Sequence, residues 1–243
     1  LDGKCTGKTF DYSPLMNRYR STRSSQGIAV SEDYVFVSHG HNDYGVSTYN
    51  RHTGRLIRFQ NRNSFGRRAY FYGARGMDVN DAGTKLLVGN YVNAVEFDIG
   101  NNGYLTGSCK AAHTSFRTYA SGTGTHRNAM DVKYGTGGSE VFTLSFNHSR
   151  VMKFSSLVTI PNDYYTCFNV NTNSTSNWVK SYGSYNYGKA ECCYLPYGLG
   201  RDSGNNVYVA DMFNHAVYKV DSNLDLLETY GGGADTRIAA AKK

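Results

Sequence analysis

The chain has 243 residues, of which only 3 are proline but 27 are glycine and 21 are tyrosine, and its formal net charge is +7. This composition excludes a disordered chain and favours one all-β domain of short strands and tight turns, and no apolar run approaches the roughly 18 residues of a membrane-spanning helix. The basic residues are dispersed and accompany no nucleic-acid-binding motif, so we expect a solvated basic surface and no specific nucleic-acid partner.

Four copies of one pattern recur along the chain. Each copy has an entry segment followed by two strand-like runs of alternating apolar residues. The copies begin near residues 26, 75, 128 and 197, and their first alternating runs cover residues 34–38, 85–89, 140–144 and 207–211. Alternation with period two, bounded by Gly, Asn and Asp turns, predicts antiparallel strands. A unit of this kind cannot bury its faces alone, so the repetition predicts that the copies stack on one another.

The fourth copy is the clearest. From Pro196 to Asp221 it reads PYGLGRDSGNNVYVADMFNHAVYKVD, with a Pro-x-Gly entry, a VYVAD strand and a third strand entered through Asn-His. This segment resembles an NHL-type repeat, which is one blade of a β-propeller. The resemblance implies a ring of four-stranded antiparallel blades. We predict four blades in a single domain over residues 1–243, with a ring of more blades as the alternative. Residues 1–25 either complete the last blade or form a loose arm.

The resemblance also indicates where chemistry would occur. In related propellers, the residue before the entry glycine projects into the top of the central channel. Peptidyl-hydroxyglycine lyases place zinc-binding histidines there, and gluconolactonase-like hydrolases place calcium ligands. In this chain the corresponding residues are predicted to be Gln26, Arg75, Asn128 and Tyr197. This set has no histidine or carboxylate and its guanidinium repels a dication, so we predict no metal cofactor, with calcium or zinc as the alternative. The set suits a small polar or anionic ligand, or else plugs the channel.

A second polar set follows the apolar second strands. Its members are His39, Asn90, Ser145 and Asp211. They predict either a loop face lined for recognition or simply the points where strands end. Asp78 and Asp131 lie inside strands, and we expect them to bond neighbouring backbone amides rather than to form a catalytic pair. Trp178 and Tyr185 belong to a Tyr/Gly/Ser-rich region that either stacks on sugar rings or covers a blade edge.

Several features predict an extracellular protein. The chain starts at Leu1 without an initiator methionine, which suggests a processed protein, and Asn147 and Asn173 head glycosylation sequons. The odd number of cysteines allows two disulfides and one thiol that could link a dimer. These disulfide candidates are Cys5, Cys109, Cys167, Cys192 and Cys193.

No hydrolase elbow, zinc-protease motif or phosphate loop is present, so no catalytic residue is assigned. We therefore predict a secreted, non-enzymatic binding protein, lectin-like, which recognises carbohydrate or an acidic extracellular ligand through the loop face of the propeller. One alternative is a tyrosine-rich basic adhesive or extracellular matrix protein. The other is a metal-dependent lyase or hydrolase of the NHL-propeller type. The question of enzymatic activity stays open at this point.

Overall fold

The computed structural model describes residues 25–40, 45–61, 74–90, 93–113, 129–146, 149–159, 177–183 and 193–232. Within these ranges the chain forms seventeen β-strands and a single turn of 3-10 helix at Asn101–Gly103. The predicted all-β class is therefore confirmed. None of the described residues forms a helix with the length and apolar character that crossing a membrane requires.

The strands form four antiparallel sheets. The first blade contains β1 (Ser25–Val30), β2 (Tyr34–His39), β3 (Gly45–Asn50) and β4 (Leu56–Asn61). The second contains β5 (Met77–Val79), β6 (Lys85–Gly89), β7 (Asn93–Ile99) and β8 (Leu105–His113). The third begins with β9 (Ala129–Tyr134), β10 (Val141–Ser145) and β11 (Arg150–Phe154).

The chain then crosses back to the second blade, where β12 (Val158–Thr159) pairs with the outer edge of β8. It returns to complete the third blade with β13 (Trp178–Tyr182), which pairs with β11. The fourth blade contains β14 (Pro196–Arg201), β15 (Val207–Asp211), β16 (Ala216–Val220) and β17 (Leu226–Gly231) in sequence order.

The tight turns inside the blades follow from a few polar side chains. In the second blade, Asn80 Oδ1 accepts hydrogen bonds from the amides of Thr84 and Lys85, both at 2.9 Å. The same turn needs a left-handed residue, and Gly83 supplies it with φ of 71°. In the fourth blade, Asp202 Oδ1 accepts a hydrogen bond from the Asn206 amide at 2.9 Å. Local hydrogen bonds of this kind fix the register of the strands on either side.

Apolar side chains fill the spaces between successive blades. Phe36 of the first blade packs in one cluster with Leu86 and Phe97 of the second. Leu87 on the opposite face of the second blade packs with Met152 of the third. The third and fourth blades share a cluster that includes Leu144, Val209 and Tyr218. The four sheets are thus the blades of a four-bladed β-propeller, and the predicted fold is confirmed.

Two aspartates link the innermost strands. Asp78 Oδ2 of β5 accepts a hydrogen bond from the Tyr134 amide of β9 at 2.8 Å. Asp131 Oδ2 of β9 accepts one from the Leu199 amide of β14, also at 2.8 Å. The expectation that these aspartates bond backbone amides is therefore confirmed. A side chain at Gly76 would collide with Asp131, so glycine is needed for this approach.

Candidate functional site

The two predicted polar sets meet at one end of the blades. The innermost strands β1 and β14 begin there, and each pairs with the end of its neighbour, so that Ser25 lies opposite His39 and Pro196 opposite Asp211. Both pairings have a β-bulge, at Gln26 and at Tyr197. A bulge turns its extra residue out of the ladder, which is typical of functional edges. We call this end of the propeller the mouth.

The pairing register shows that the predicted axial column is not one set of equivalent positions. In the third blade the register shifts between Ala129 and Asp131, so the bulged residue is Met130. Asn128 lies outside the described residues. The sequence did not reveal Met130 because this entry, Asn-Ala-Met, has no glycine to mark the bulge. In the second blade Met77 pairs with Val88 as Ile28 pairs with Val37 in the first, which places Arg75 at the position equivalent to Gln26.

Arg75 and Gln26 meet across the boundary between the first two blades. Arg75 is half-buried, Gln26 is exposed, and Arg75 Nη1 lies 3.4 Å from Gln26 Oε1. Arg75 Nε is buried and has no hydrogen-bond acceptor among the described residues. Gly40 provides the space beside them, because a Cβ there would lie 2.6 Å from Gln26 Cγ. The mouth therefore holds a guanidinium whose hydrogen-bonding capacity is only partly used.

Tyr197 is the exposed aromatic residue of the mouth. Its side chain is 49% exposed, and its ring packs edge-on against Phe146 with 5.9 Å between centroids and an interplanar angle of 88°. An edge-to-face pair of this kind restrains the ring while its hydroxyl stays available to solvent. The structure places Tyr197 at the same end of the propeller as Arg75 and Gln26.

The second predicted set is buried beneath the mouth. The exposed fractions of its members are 1% for His39, Asn90 and Ser145 and 2% for Asp211. His39 Nε2 lies 2.7 Å from Ser47 Oγ on the adjacent strand. Burial lowers the pKa of His39 to about 4, so its imidazole is neutral at physiological pH. The set therefore belongs to the packing under the mouth and does not line an exposed recognition face.

Asp211 stabilises the turn that follows β15. Its Oδ2 accepts hydrogen bonds from the Tyr194 amide at 3.0 Å and from Asn214 Nδ2 at 2.9 Å, and Oδ1 accepts one from the Asn214 amide at 3.3 Å. Burial raises the pKa of the Asp211 carboxyl, while these hydrogen bonds oppose the rise. These contacts assign Asp211 a structural part in the Tyr194 and Asn214 segments.

The described residues contain no group of three or more His, Cys, Asp or Glu side chains arranged to hold a metal ion. Instead, Lys133 neutralises the inner-strand aspartates, with Nζ 3.5 Å from Asp131 Oδ1 and 4.0 Å from Asp78 Oδ1. Cys193 is fully buried and disulfide-bonded. The remaining predicted residues lie outside the described part of the chain, in full or for their side chains. They are Cys5, Cys109, Cys167, Cys192, Asn147, Asn173, Trp178 and Tyr185.

Comparison with known proteins gives a fold but no family. No family model matches the chain, and no curated protein matches it. Solved structures do. A streptogramin B lyase is 13% identical with a TM-score of 0.53, over 87% of this chain and 55% of the lyase. A periplasmic gluconolactonase from Pseudomonas aeruginosa is 13% identical with a TM-score of 0.55, over 87% of this chain and 58% of the gluconolactonase. A functionally unknown protein from Desulfotomaculum acetoxidans is 13% identical with a TM-score of 0.57, over 86% of this chain and 57% of that protein.

The chain thus spans a little over half the length of these structures, and identities this low establish the propeller fold alone. The prediction of a non-enzymatic, lectin-like binding protein is wrong. The named activities among the propeller neighbours are those of a lyase and a lactonase, and no described feature indicates a lectin. Secretion, glycosylation and the dimer linked by a cysteine stay predictions. The neighbours classify the fold as a β-propeller.

Proposed function

We propose that the mouth binds a small, oxygen-rich organic anion and that the protein is a propeller enzyme of the lactonase or lyase kind. The observation that carries this proposal is the Arg75 guanidinium, which is half-buried at the mouth and meets only the Gln26 amide oxygen among the described side chains, at 3.4 Å. A half-buried guanidinium binds a carboxylate or phosphate strongly because two of its N–H groups can donate in parallel.

Gln26 and Tyr197 give this end of the propeller further hydrogen-bonding groups. Gln26 Oε1 orients Arg75 Nη1, and the exposed amide nitrogen of Gln26 can donate to a bound oxygen. The Tyr197 hydroxyl can donate to the carbonyl oxygen of a cyclic ester. The buried His39 beneath them is neutral and bonded to Ser47, so it contributes rigidity to the mouth. The lyase and the gluconolactonase among the neighbours support an enzyme on this fold.

We also propose that the blades are of the NHL type. The fourth blade supports this, because its Pro-Tyr-Gly entry, VYVAD strand and Asn-His turn coincide with β14, β15 and the start of β16. The other three blades keep the strand order but not the full motif.

Isothermal titration calorimetry of the purified protein with gluconate, 6-phosphogluconate, inorganic phosphate and glucose tests the binding step. We expect the organic anions to bind and glucose not to bind. Arg75→Gln should weaken anion binding by about 10- to 100-fold, the usual effect of losing a hydrogen bond to a charged group. Arg55→Gln, at an exposed position in the turn between β3 and β4, is the matched control and should leave binding unchanged.

A pH-stat assay of glucono-δ-lactone hydrolysis on the same variants tests the catalytic step. A rate above the uncatalysed reaction that falls with Arg75→Gln supports a lactonase. The absence of binding by every organic anion, or equal binding by the two variants, would contradict the proposal.

A further inference from the structure

The two terminal blades each have one face that no other described blade covers at the innermost strand. In the first blade, Ala29 of β1 packs toward the second blade, while its neighbours Ile28 and Val30 point the other way and are 61% and 48% exposed. The exposure is confined to the innermost strand, because Val37 and Val35, which pair with Ile28 and Val30, are buried. Two large aliphatic side chains therefore project from β1, two residues apart.

The uncovered face of the fourth blade has a notch at two glycines, which are two residues apart like Ile28 and Val30. Leu199 of β14 packs toward the third blade, so Gly198 and Gly200 lie on the opposite face. Among the described residues, a Cβ built on Gly198 meets only Ala210 Cβ at 3.9 Å, and one built on Gly200 meets only Tyr208 Cβ at 3.7 Å. Both neighbours belong to the same blade, so no described residue of another blade occupies this notch.

The contacts between successive blades within the chain show what packs against glycines of the innermost strands. Gly27 of the first blade lies so close to the Arg75 backbone of the second that a side chain there would collide with it, and Gly76 of the second lies equally close to Asp131 of the third. Glycines on the innermost strands are thus the points where a following blade approaches. Gly198 and Gly200 have the same open side, but no described residue of another blade lies beside them.

We propose that a second copy of this chain fills both faces, with Ile28 and Val30 of each copy inserted into the Gly198–Gly200 notch of the other. One partner copy covers both exposed faces at once through two identical contacts, as two-fold symmetry requires. The joined ring contains twice four blades, and propellers typically have roughly four to eight. The solved neighbours, of which this chain covers 55 to 58%, agree with a ring of nearly twice this size.

Sedimentation velocity from about 1 to 100 μM tests the dimer, with a non-reducing gel to identify covalent species. We expect a non-covalent dimer of twice 26.9 kDa. Val30→Glu should raise its dissociation constant by about 100-fold or more, because a carboxylate would be buried without a partner. Ala210→Arg, on the notch side, should have a similar effect. Val179→Glu is the matched control, since Val179 is 49% exposed on the outer strand of the third blade.

Circular dichroism and thermal unfolding of each variant separate loss of association from loss of folding, and all three substitutions are at exposed positions. A monomer at every concentration would overturn the proposal. A dimer that Val30→Glu and Ala210→Arg leave intact would overturn it as well, because the interface would then lie elsewhere, for example along the exposed strand β17. Anion binding at the mouth does not enter this experiment, so the two proposals stand or fail separately.

Discussion

Replacing Asp131 by alanine tests whether the aspartate links between innermost strands stabilise the propeller. Asp131 accepts hydrogen bonds from the amides of Val132 and Leu199, both at 2.8 Å, and it lies 3.5 Å from Lys133 Nζ. Its side chain is only 15% exposed. Hydrogen bonds to a charged group contribute roughly 1.5 to 3 kcal/mol each, and the Leu199 amide would be left without its acceptor. We therefore expect the free energy of unfolding to fall by about 3 kcal/mol, or the Tm by roughly 6 to 12 °C.

Urea unfolding followed by circular dichroism measures this change. Asp221→Ala is the control, because Asp221 also accepts two backbone hydrogen bonds, from Asn223 and Asp225 at 2.8 Å, but both lie in its own turn. That variant should lose about 1 kcal/mol. If Asp131→Ala is no more destabilising than Asp221→Ala, the bond between blades contributes no more than a surface turn, and the reasoning is refuted.

Two further predictions concern the mouth. The imidazole of His39 takes up a proton near pH 6.5 in the unfolded chain but only near pH 4 in the folded protein. The stability that neutral His39 contributes is therefore present above pH 6.5 and is lost, by about 3 kcal/mol, as the pH falls to 4. Subtracting the pH profile of His39→Gln from that of the wild type isolates this loss, and identical profiles would show that His39 titrates normally. Gly40→Ala should displace the Gln26 side chain and weaken anion binding severalfold with the fold retained. Calorimetry with gluconate measures this, and unchanged binding would exclude Gln26 from the site.

The blades could be predicted from the sequence because their strands are short, alternate with period two and end at Gly, Asn or Asp turns. The fourth blade shows this most clearly, with VYVAD forming β15 as expected. The crossover that carries β12 to the second blade could not be predicted, since a strand of two residues has no period to recognise. In the third blade the predicted channel residue, Asn128, was wrong because Met130, not a residue before a glycine, occupies the bulge.

The candidate site was predicted only in part, for a similar reason. Polar residue types at the ends of the second strands indicate exposure, yet His39 and Asp211 are buried. Their partners, Ser47 and Asn214, become neighbours only once the strands pair and the turn closes. Sequence shows that a residue can form hydrogen bonds, but not whether protein or solvent provides the partner. Arg75 and Gln26 come from different blades, and their contact depends on how those blades pack.

Strand β12 has a consequence for the order in which the protein can form. Its residues Val158 and Thr159 pair with Ala111 and Lys110, so the outer edge of the second sheet is completed by a segment that follows β9, β10 and β11 in the chain. During synthesis, the second sheet therefore acquires its last strand only after most of the third has emerged from the ribosome. The backbone itself connects the two sheets, so a force that pulls on the chain at either sheet acts on both. The middle of the propeller should consequently open as one cooperative unit, later than its two ends.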